Sequence, residues 1–342
     1  MFPLLIPDNA RDSERRPYEQ FKKMREEAVE EMKKRVWRCV AFILALSGFF
    51  GTAEVASPQE TGAPYSPERD PGLSVSASYM HQFDTGLDRG GEFHVDRLFF
   101  HGDWKKRQSE NFSFGIGANY DINDYSFSGT ASNPIGNPWD QVHTLNFSVS
   151  SLFTPDKNWK VFVAPSVGVA AESGADWGDS IVYGGIVWTS YRFSPSLALG
   201  LGAGVFNKAE EVTAFPVIVV DWKITDRVRL SNPLHPGPTG PAGLEVSYAF
   251  DGGSTVAAGG AYRSLRFRLD DSGAVPGGVG EDRSFPLWAR FSTKMGTAGT
   301  LNFLGGVMVG GKMVLEDKNG NELADESYDA SPFLAATISF KF

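Results

Sequence analysis

Side chains suited to chemistry are few in this sequence, and they are scattered. Five histidines occur, His81, His94, His101, His143 and His235, and the one cysteine is Cys39. A Ser–His hydrolase displayed on a protein wall needs the nucleophile and its base on the same face. His143 stands near Ser148 and Ser150, but in an extended segment its parity is opposite to theirs. No Gly-x-Ser-x-Gly elbow surrounds a candidate serine, and no His-Glu-x-x-His is present. No catalytic residue is assigned, and the chain is not read as an enzyme. Asp317, Asn319, Asn321 and Glu322 resemble part of a calcium loop, but Gly320 comes too early for EF-hand spacing. Asn319-Gly320 between two apolar pairs reads instead as a hairpin turn. Gly277, Gly278 and Gly280 follow Pro276 in a polar stretch with no helix after it, which argues against a phosphate cradle. One cysteine allows neither a disulfide framework nor a Cys-based metal site, and no cofactor or metal is expected.

The elements that would position any site are strands. Among 342 residues, 38 are Gly and 26 are Phe, and the apolar residues alternate from about Gly72 onwards. Leu73, Val75, Ala77 and Tyr79 alternate with Ser74, Ser76 and Ser78. Ile116, Ala118 and Tyr120 alternate with Gly115, Gly117 and Asn119, and Leu199, Leu201, Ala203 and Val205 with Gly200, Gly202 and Gly204. A period of two means a strand with one apolar and one polar or small face. These runs extend for about 10–14 residues, longer than the usual sandwich strand and long enough to cross a membrane at a tilt.

Connections support the membrane reading. Short breaks are expected at 103–110, 155–158, 195–196, 225–226, 251–254 and 294–298. Longer, more polar ones are expected at 84–90, 121–140, 172–179, 207–211, 232–241, 270–283 and 316–331. Such alternation suits a barrel with one rim towards the periplasm and the other outside. The fold class is therefore all-β, a transmembrane antiparallel up-and-down barrel of about fourteen strands, with twelve as the alternative. Closure leaves no unpaired backbone in lipid. The longest apolar run, 40–50, is too short for a spanning helix.

The first residues read as an address. Basic residues from Lys33 to Arg38 precede that apolar run and small residues, the pattern of a secretory signal. The chain divides into an N-terminal extension at 1–31, a signal peptide at 32–53 with cleavage after Ala53, a proline-rich periplasmic lead-in at 54–71, and the barrel at 72–342. Met32 reads as the natural initiator, with a cytoplasmic helix on an uncleaved anchor as the alternative. From Glu54 onwards there are 22 Lys+Arg and 33 Asp+Glu, a net charge of −11, which disfavours a nucleic-acid partner.

The C-terminal strand holds a second signal. Leu334, Ala336, Ile338, Phe340 and Phe342 share one face, and Phe342 ends the chain. Ile338, Phe340 and Phe342 resemble the signal by which outer-membrane barrels are recognised by the barrel-assembly machinery. Residues 75–84 (VSASYMHQFD), 90–100 (GGEFHVDRLFF), 229–233, 267–271 and 284–288 resemble a family of bacterial outer-membrane barrels of unassigned function. The resemblance runs from about Gly72 to Phe342 and implies a barrel of about fourteen strands with no assigned activity. The architecture is also similar to that of 14-stranded hydrophobic-compound channels, which hold an N-terminal hatch inside the barrel; residues 54–71 are too few to form one.

Taking the apolar face as lipid-facing leaves Arg227, Arg229, Glu245, Arg266, Arg268 and Arg290 pointing into the lumen, with Asp96 and Lys312 as weaker candidates. A charged side chain towards lipid costs about 2–4 kcal/mol at the midplane. Arg263 shares its parity with Leu265, Phe267 and Leu269, which predicts a bulge or an interfacial position there. Two readings of the inward charges stay open, a basic wall that attracts anions and an ion-pair network that fills the barrel. Tyr79, Trp104, Tyr120, Trp159, Tyr183, Tyr191, Trp222, Tyr248 and Trp288 are expected as an interfacial girdle. The expected function is a passive outer-membrane pore for small polar or anionic solutes, in a Gram-negative-type bacterium, with outer-membrane lipid as its surroundings. A filled structural barrel is the alternative, and a lipid-modifying enzyme the third reading.

Overall fold

The computed structural model describes residues 72–130, 133–232 and 242–342, and every regular element in them is a β-strand. The expected extension at 1–31, signal peptide at 32–53 and lead-in at 54–71 lie outside the described residues. The strands are β1 (Gly72–Gly86), β2 (Glu92–Ser109), β3 (Phe112–Ser128), β4 (Gln141–Phe153), β5 (Trp159–Glu172), β6 (Ile181–Ser194), β7 (Leu197–Lys208) and β8 (Glu211–Lys223). They continue with β9 (Val228–Ser231), β10 (Ala242–Ala249), β11 (Thr255–Arg268), β12 (Val279–Met295), β13 (Gly299–Glu316), β14 (Glu322–Tyr328) and β15 (Ser331–Lys341).

Each strand from β1 to β13 pairs antiparallel with its neighbours in sequence, and β15 joins β13 to β1. These fourteen strands make one closed barrel. Leu73 and Phe342 bond each other through both backbone pairs at what we term the proximal end. β14 extends the position of β15 beyond it, pairing with the far half of β13.

Short and long connections alternate as expected except at β7–β8, where a long one was expected and a short one is found, and their boundaries shift. β2 runs on to Ser109, so the turn is at 110–111 rather than 103–110. β3 continues to Ser128 and β12 starts at Val279, so strand replaces parts of the expected loops at 121–140 and 270–283. The stretch 316–331 contains β14. The turn between β7 and β8 has only two residues, Ala209 and Glu210. The hairpin turn around Asn319-Gly320 is present, and Gly320 adopts a φ of 82° there.

The ring changes size along its axis. β5 and β11 meet in parallel at Ala171 and Arg268, six places apart in the strand order. At the level of this bridge the wall consists of β1 to β5, β11 to β13 and β14, closed by the pairing of Leu87 with Tyr328. Those are nine strands instead of fourteen. A ring of about eight strands is only wide enough for its own side chains, whereas larger rings leave space.

Polarity follows the same division. In the proximal, fourteen-strand part the outward face is apolar and exposed, as at Ile116, Val163, Leu201, Ile218, Leu287 and Leu334. In the distal, nine-strand part the alternation persists with its sense reversed. Phe93, Val95, Tyr125, Phe267, Met313 and Leu315 point inward and form one buried cluster with Ile135 and Trp139 of the β3–β4 connection. Fully burying such a side chain contributes roughly 1.5–3 kcal/mol. This end resembles a water-soluble barrel, with a greasy inside and polar outside.

Packing on the inner wall at β7 depends on glycine. Gly200, Gly202 and Gly204 face inward between β6 and β8, and the Trp188 and Phe215 side chains of those neighbours lie across Gly202 and Gly204. A side chain on β7 would occupy that space. Leu152, Phe162 and Trp188 are buried on this inner wall, with Ala164, Ile186, Val217 and Val219 packed against them.

Candidate functional site

The interior below the distal core is where charge has been taken out of water. Asp282 on β12 is fully buried, and four donors reach it. Arg97 of β2 and Arg263 of β11 each donate to Oδ2 at 3.1 Å. The Tyr125 hydroxyl of β3 donates to Oδ2 at 2.8 Å, and that of Tyr328 on β14 donates to Oδ1 at 2.9 Å. Arg97 also donates to Gln82 Oε1 at 2.6 Å and Asn123 Oδ1 at 3.1 Å, and Arg263 reaches the same Asn123 oxygen at 3.2 Å. In the nine-strand ring β3 and β12 stand opposite each other. The Tyr125–Asp282 bond therefore crosses the bore, and side chains from opposing walls meet in its centre.

On the proximal side of this layer Met80, Trp288, Leu304, Met308 and Phe333 form a second apolar layer. A polar one follows. Glu245 accepts from Arg290 Nε at 3.1 Å and from Trp288 Nε1 at 3.0 Å, across Gly259 of the intervening β11. Gly259 has no side chain to block that reach. Arg290 also bonds Ser292 and Asn302. On the opposite wall the inward Asn119, Asp121, Asn146, Ser148 and Ser166 are only half-buried, so the fourteen-strand part retains open space beside them.

The sequence-expected charges separate into three places. Glu245 and Arg290 are buried inside the ring and paired with each other. Arg229 lies near the proximal end and grips Asp221 of β8 with two bonds, 2.7 and 2.6 Å. Arg227 is exposed at the proximal rim, paired with Asp251 at 2.7 Å. Arg266 and Arg268 depart from the expected inward position. They alternate with the inward Phe267, and so leave the distal ring on its outer side, where the β7–β8 hairpin covers them. Arg266 bonds Glu316 at 2.8 Å and the Ala209 carbonyl at 3.0 Å, and Arg268 bonds Glu210 Oε1 at 2.7 Å. The physical reason is the reversal of polarity: the apolar face of β11 looks at lipid proximally and into the core distally.

Other expectations change for the same reason. Arg263 points inward to Asp282, with no bulge in the β11–β12 register beside it. The irregularity lies between β12 and β13, where Gly310 takes a φ of 61°. Asp96 faces outward to Tyr79 and His81, and Lys312 outward to Asp325. Trp288 belongs to the interior and not to the interfacial girdle. Sequence reading missed Asp282, Arg97 and Tyr125 as a unit; the signal available was Arg97 between the inward Val95 and Phe99 of β2. Ile338 and Phe340 pair with Ala77 and Val75 of β1, and the Phe340 and Phe342 rings stack at 6.4 Å.

Charge along the described bore is close to balanced, since Arg97 and Arg263 share Asp282, Arg290 has Glu245 and Arg229 has Asp221. Of the two readings of the inward charges, this arrangement favours an ion-pair network over a basic wall.

Among the curated proteins none matches this chain in sequence. In structure it is similar to the COG4313 outer membrane channel from Pseudomonas putida F1, with 10% identity and a TM-score of 0.44 over 84% of this chain and 100% of that one. It is also similar to the Pseudomonas putida toluene transporter TodX, with 9% identity and a TM-score of 0.41 over 81% and 90%. The Ralstonia pickettii toluene transporter TbuX shows 10% identity and a TM-score of 0.43 over 80% and 90%. Residues 133–274, which include two of the segments that carry the sequence resemblance, 229–233 and 267–271, match the family model described as a domain of unknown function (DUF6268).

Proposed function

We propose that this chain is an outer-membrane channel for small polar solutes whose passage is shut in the present conformation. The apolar belt supports membrane insertion, because a closed ring with greasy side chains outside leaves no backbone group unpaired in lipid. Its proximal rim, with short turns and both Leu73 and Phe342, suits the periplasmic side. The Ile338, Phe340 and Phe342 face is the part that the barrel-assembly machinery would read.

One observation carries the shut state: the Tyr125–Asp282 bond across the nine-strand ring, with the distal core behind it. Among the described residues the Asp282 layer separates the fourteen-strand chamber from the distal end, and solute passage requires that layer to part. Near-balanced charge along the bore supports weak ion selectivity, and Arg266 and Arg268 lie too far outside to set it.

A planar-bilayer recording of the refolded chain tests this. Wild type is expected to be silent or to open briefly, while Asp282→Ala combined with Tyr125→Phe gives frequent openings. Steady ohmic steps from the wild type would instead favour a permanently open pore. Silence from a variant that remains folded would favour the second reading, a filled structural barrel, which the buried ion pairs also suit.

A further inference from the structure

On the outer wall, at the distal edge of the apolar belt, two histidine–aspartate pairs stand side by side. His81 of β1 directs Nδ1 at Asp96 Oδ1 of β2, 2.8 Å away, and the Tyr79 hydroxyl donates to that same oxygen at 2.5 Å. His94 of β2 directs Nδ1 at Asp84 Oδ1 of β1, 2.9 Å away. The ring centroids of His81 and His94 are 6.0 Å apart. Both histidine side chains are about one-third exposed.

A break in register makes this arrangement. β1 and β2 pair regularly up to Gln82–Val95 and resume at Thr85–Phe93, so Phe83 and Asp84 together oppose His94. That is a β-bulge, which re-aims a side chain, here turning Asp84 outward beside His94. Each carboxylate engages Nδ1 of its histidine and so favours the tautomer with the Nε2 lone pair free. Among the described residues no partner meets either Nε2. Metal-binding histidines are held in just this way, with a carboxylate fixing the ring from behind. With metal–nitrogen bonds of about 2.1 Å, two imidazoles on one ion place their ring centres roughly 5–6 Å apart. Asp124 of β3, exposed and opposite Asp96 in register, adds a further negative charge to the patch.

We propose that His81 and His94 hold one divalent transition-metal ion through their Nε2 atoms, oriented by Asp96 and Asp84. The remaining coordination positions face outward, where water or an anionic headgroup oxygen completes the shell. Zinc and copper suit imidazole donors with open positions.

The test uses the full chain, free of any purification tag, folded in detergent, with Zn2+ alone in equilibrium dialysis and Cu2+ alone in electron paramagnetic resonance. About one Zn2+ per chain is expected, and a copper spectrum with two nitrogen ligands. His81→Ala or His94→Ala weakens binding about tenfold or more, and Asp96→Asn or Asp84→Asn weakens it by about 10–100-fold. His143→Ala leaves it unchanged. Heat-modifiable gel mobility shows that each variant remains folded. No bound metal in the wild type, or binding that persists in the His81→Ala/His94→Ala double variant, overturns the proposal.

Discussion

The Tyr125 hydroxyl on β3 donates to Asp282 on β12 at 2.8 Å from the opposite side of the nine-strand ring, so one hydrogen bond joins walls that share no strand pairing. Two arginines converge on the same carboxylate, which makes Asp282 the residue on which the layer depends. Asp282→Ala leaves Arg97 and Arg263 buried without their counter-ion. The expected loss is about 3–5 kcal/mol, read from urea unfolding in lipid vesicles. Tyr125→Phe removes one donor to the carboxylate and leaves both arginines paired with it, and should cost about 1.5–3 kcal/mol. Equal losses from the two variants would contradict this ranking.

Gly202 and Gly204 face the same way but differ in what crowds them. An added Cβ at Gly202 meets the Val187 carbonyl and the Trp188 backbone, whereas at Gly204 its three nearest atoms all belong to the far end of the Phe215 ring. Gly204→Ala should therefore be rescued by Phe215→Leu. Gly202→Ala should not be rescued by Trp188→Ala, and should cost about 1–3 kcal/mol. Folding yield and unfolding midpoints of the two double variants check the contrast.

The β7–β8 turn carries strain. Ala209 and Glu210 have φ of 37° and 69°, in a two-residue hairpin that normally selects Asn-Gly. Ala209→Gly should stabilise the protein by about 1 kcal/mol, since left-handed backbone costs an L-residue roughly 1–2 kcal/mol. Arg266→Ala removes the donors to the Ala209 carbonyl and to Glu316, and should speed hydrogen exchange of the hairpin tip. A hairpin tip that exchanges no faster in Arg266→Ala would count against the clamp.

The β13–β14 turn responds to acid in a defined direction. Asp317 accepts from the backbone of Asn319 and Asn321 and from the Asn321 side chain, and these bonds, the Asn321 ones first, lower its pKa to about 2. A depressed folded pKa means the turn is fully stabilised above the ordinary carboxylate range and loses that support as pH falls towards 2. The carboxyl chemical shift of Asp317 should titrate with a midpoint near 2, and Asn321→Ala should move it upward. A midpoint near 4 in the wild type would refute the assignment.

Alternation by itself determined that this chain makes long two-faced strands, about fourteen of them. The period of two is a local property of consecutive residues, so it is readable at Leu73–Ala77 or Leu199–Val205 without any partner. It does not say which face looks inward. At Arg266 and Arg268 the apolar neighbours belong to a packed core, whereas at Val256 the apolar side chain faces out, and only the meeting of β5 with β11 sets where one sense gives way to the other. Asp282, Arg97, Tyr125 and Arg263 come from four strands, and His81 meets His94 beside a single-residue slip in register. Such groupings depend on closure and on register, which are relations between distant segments, and no spacing along the chain encodes them.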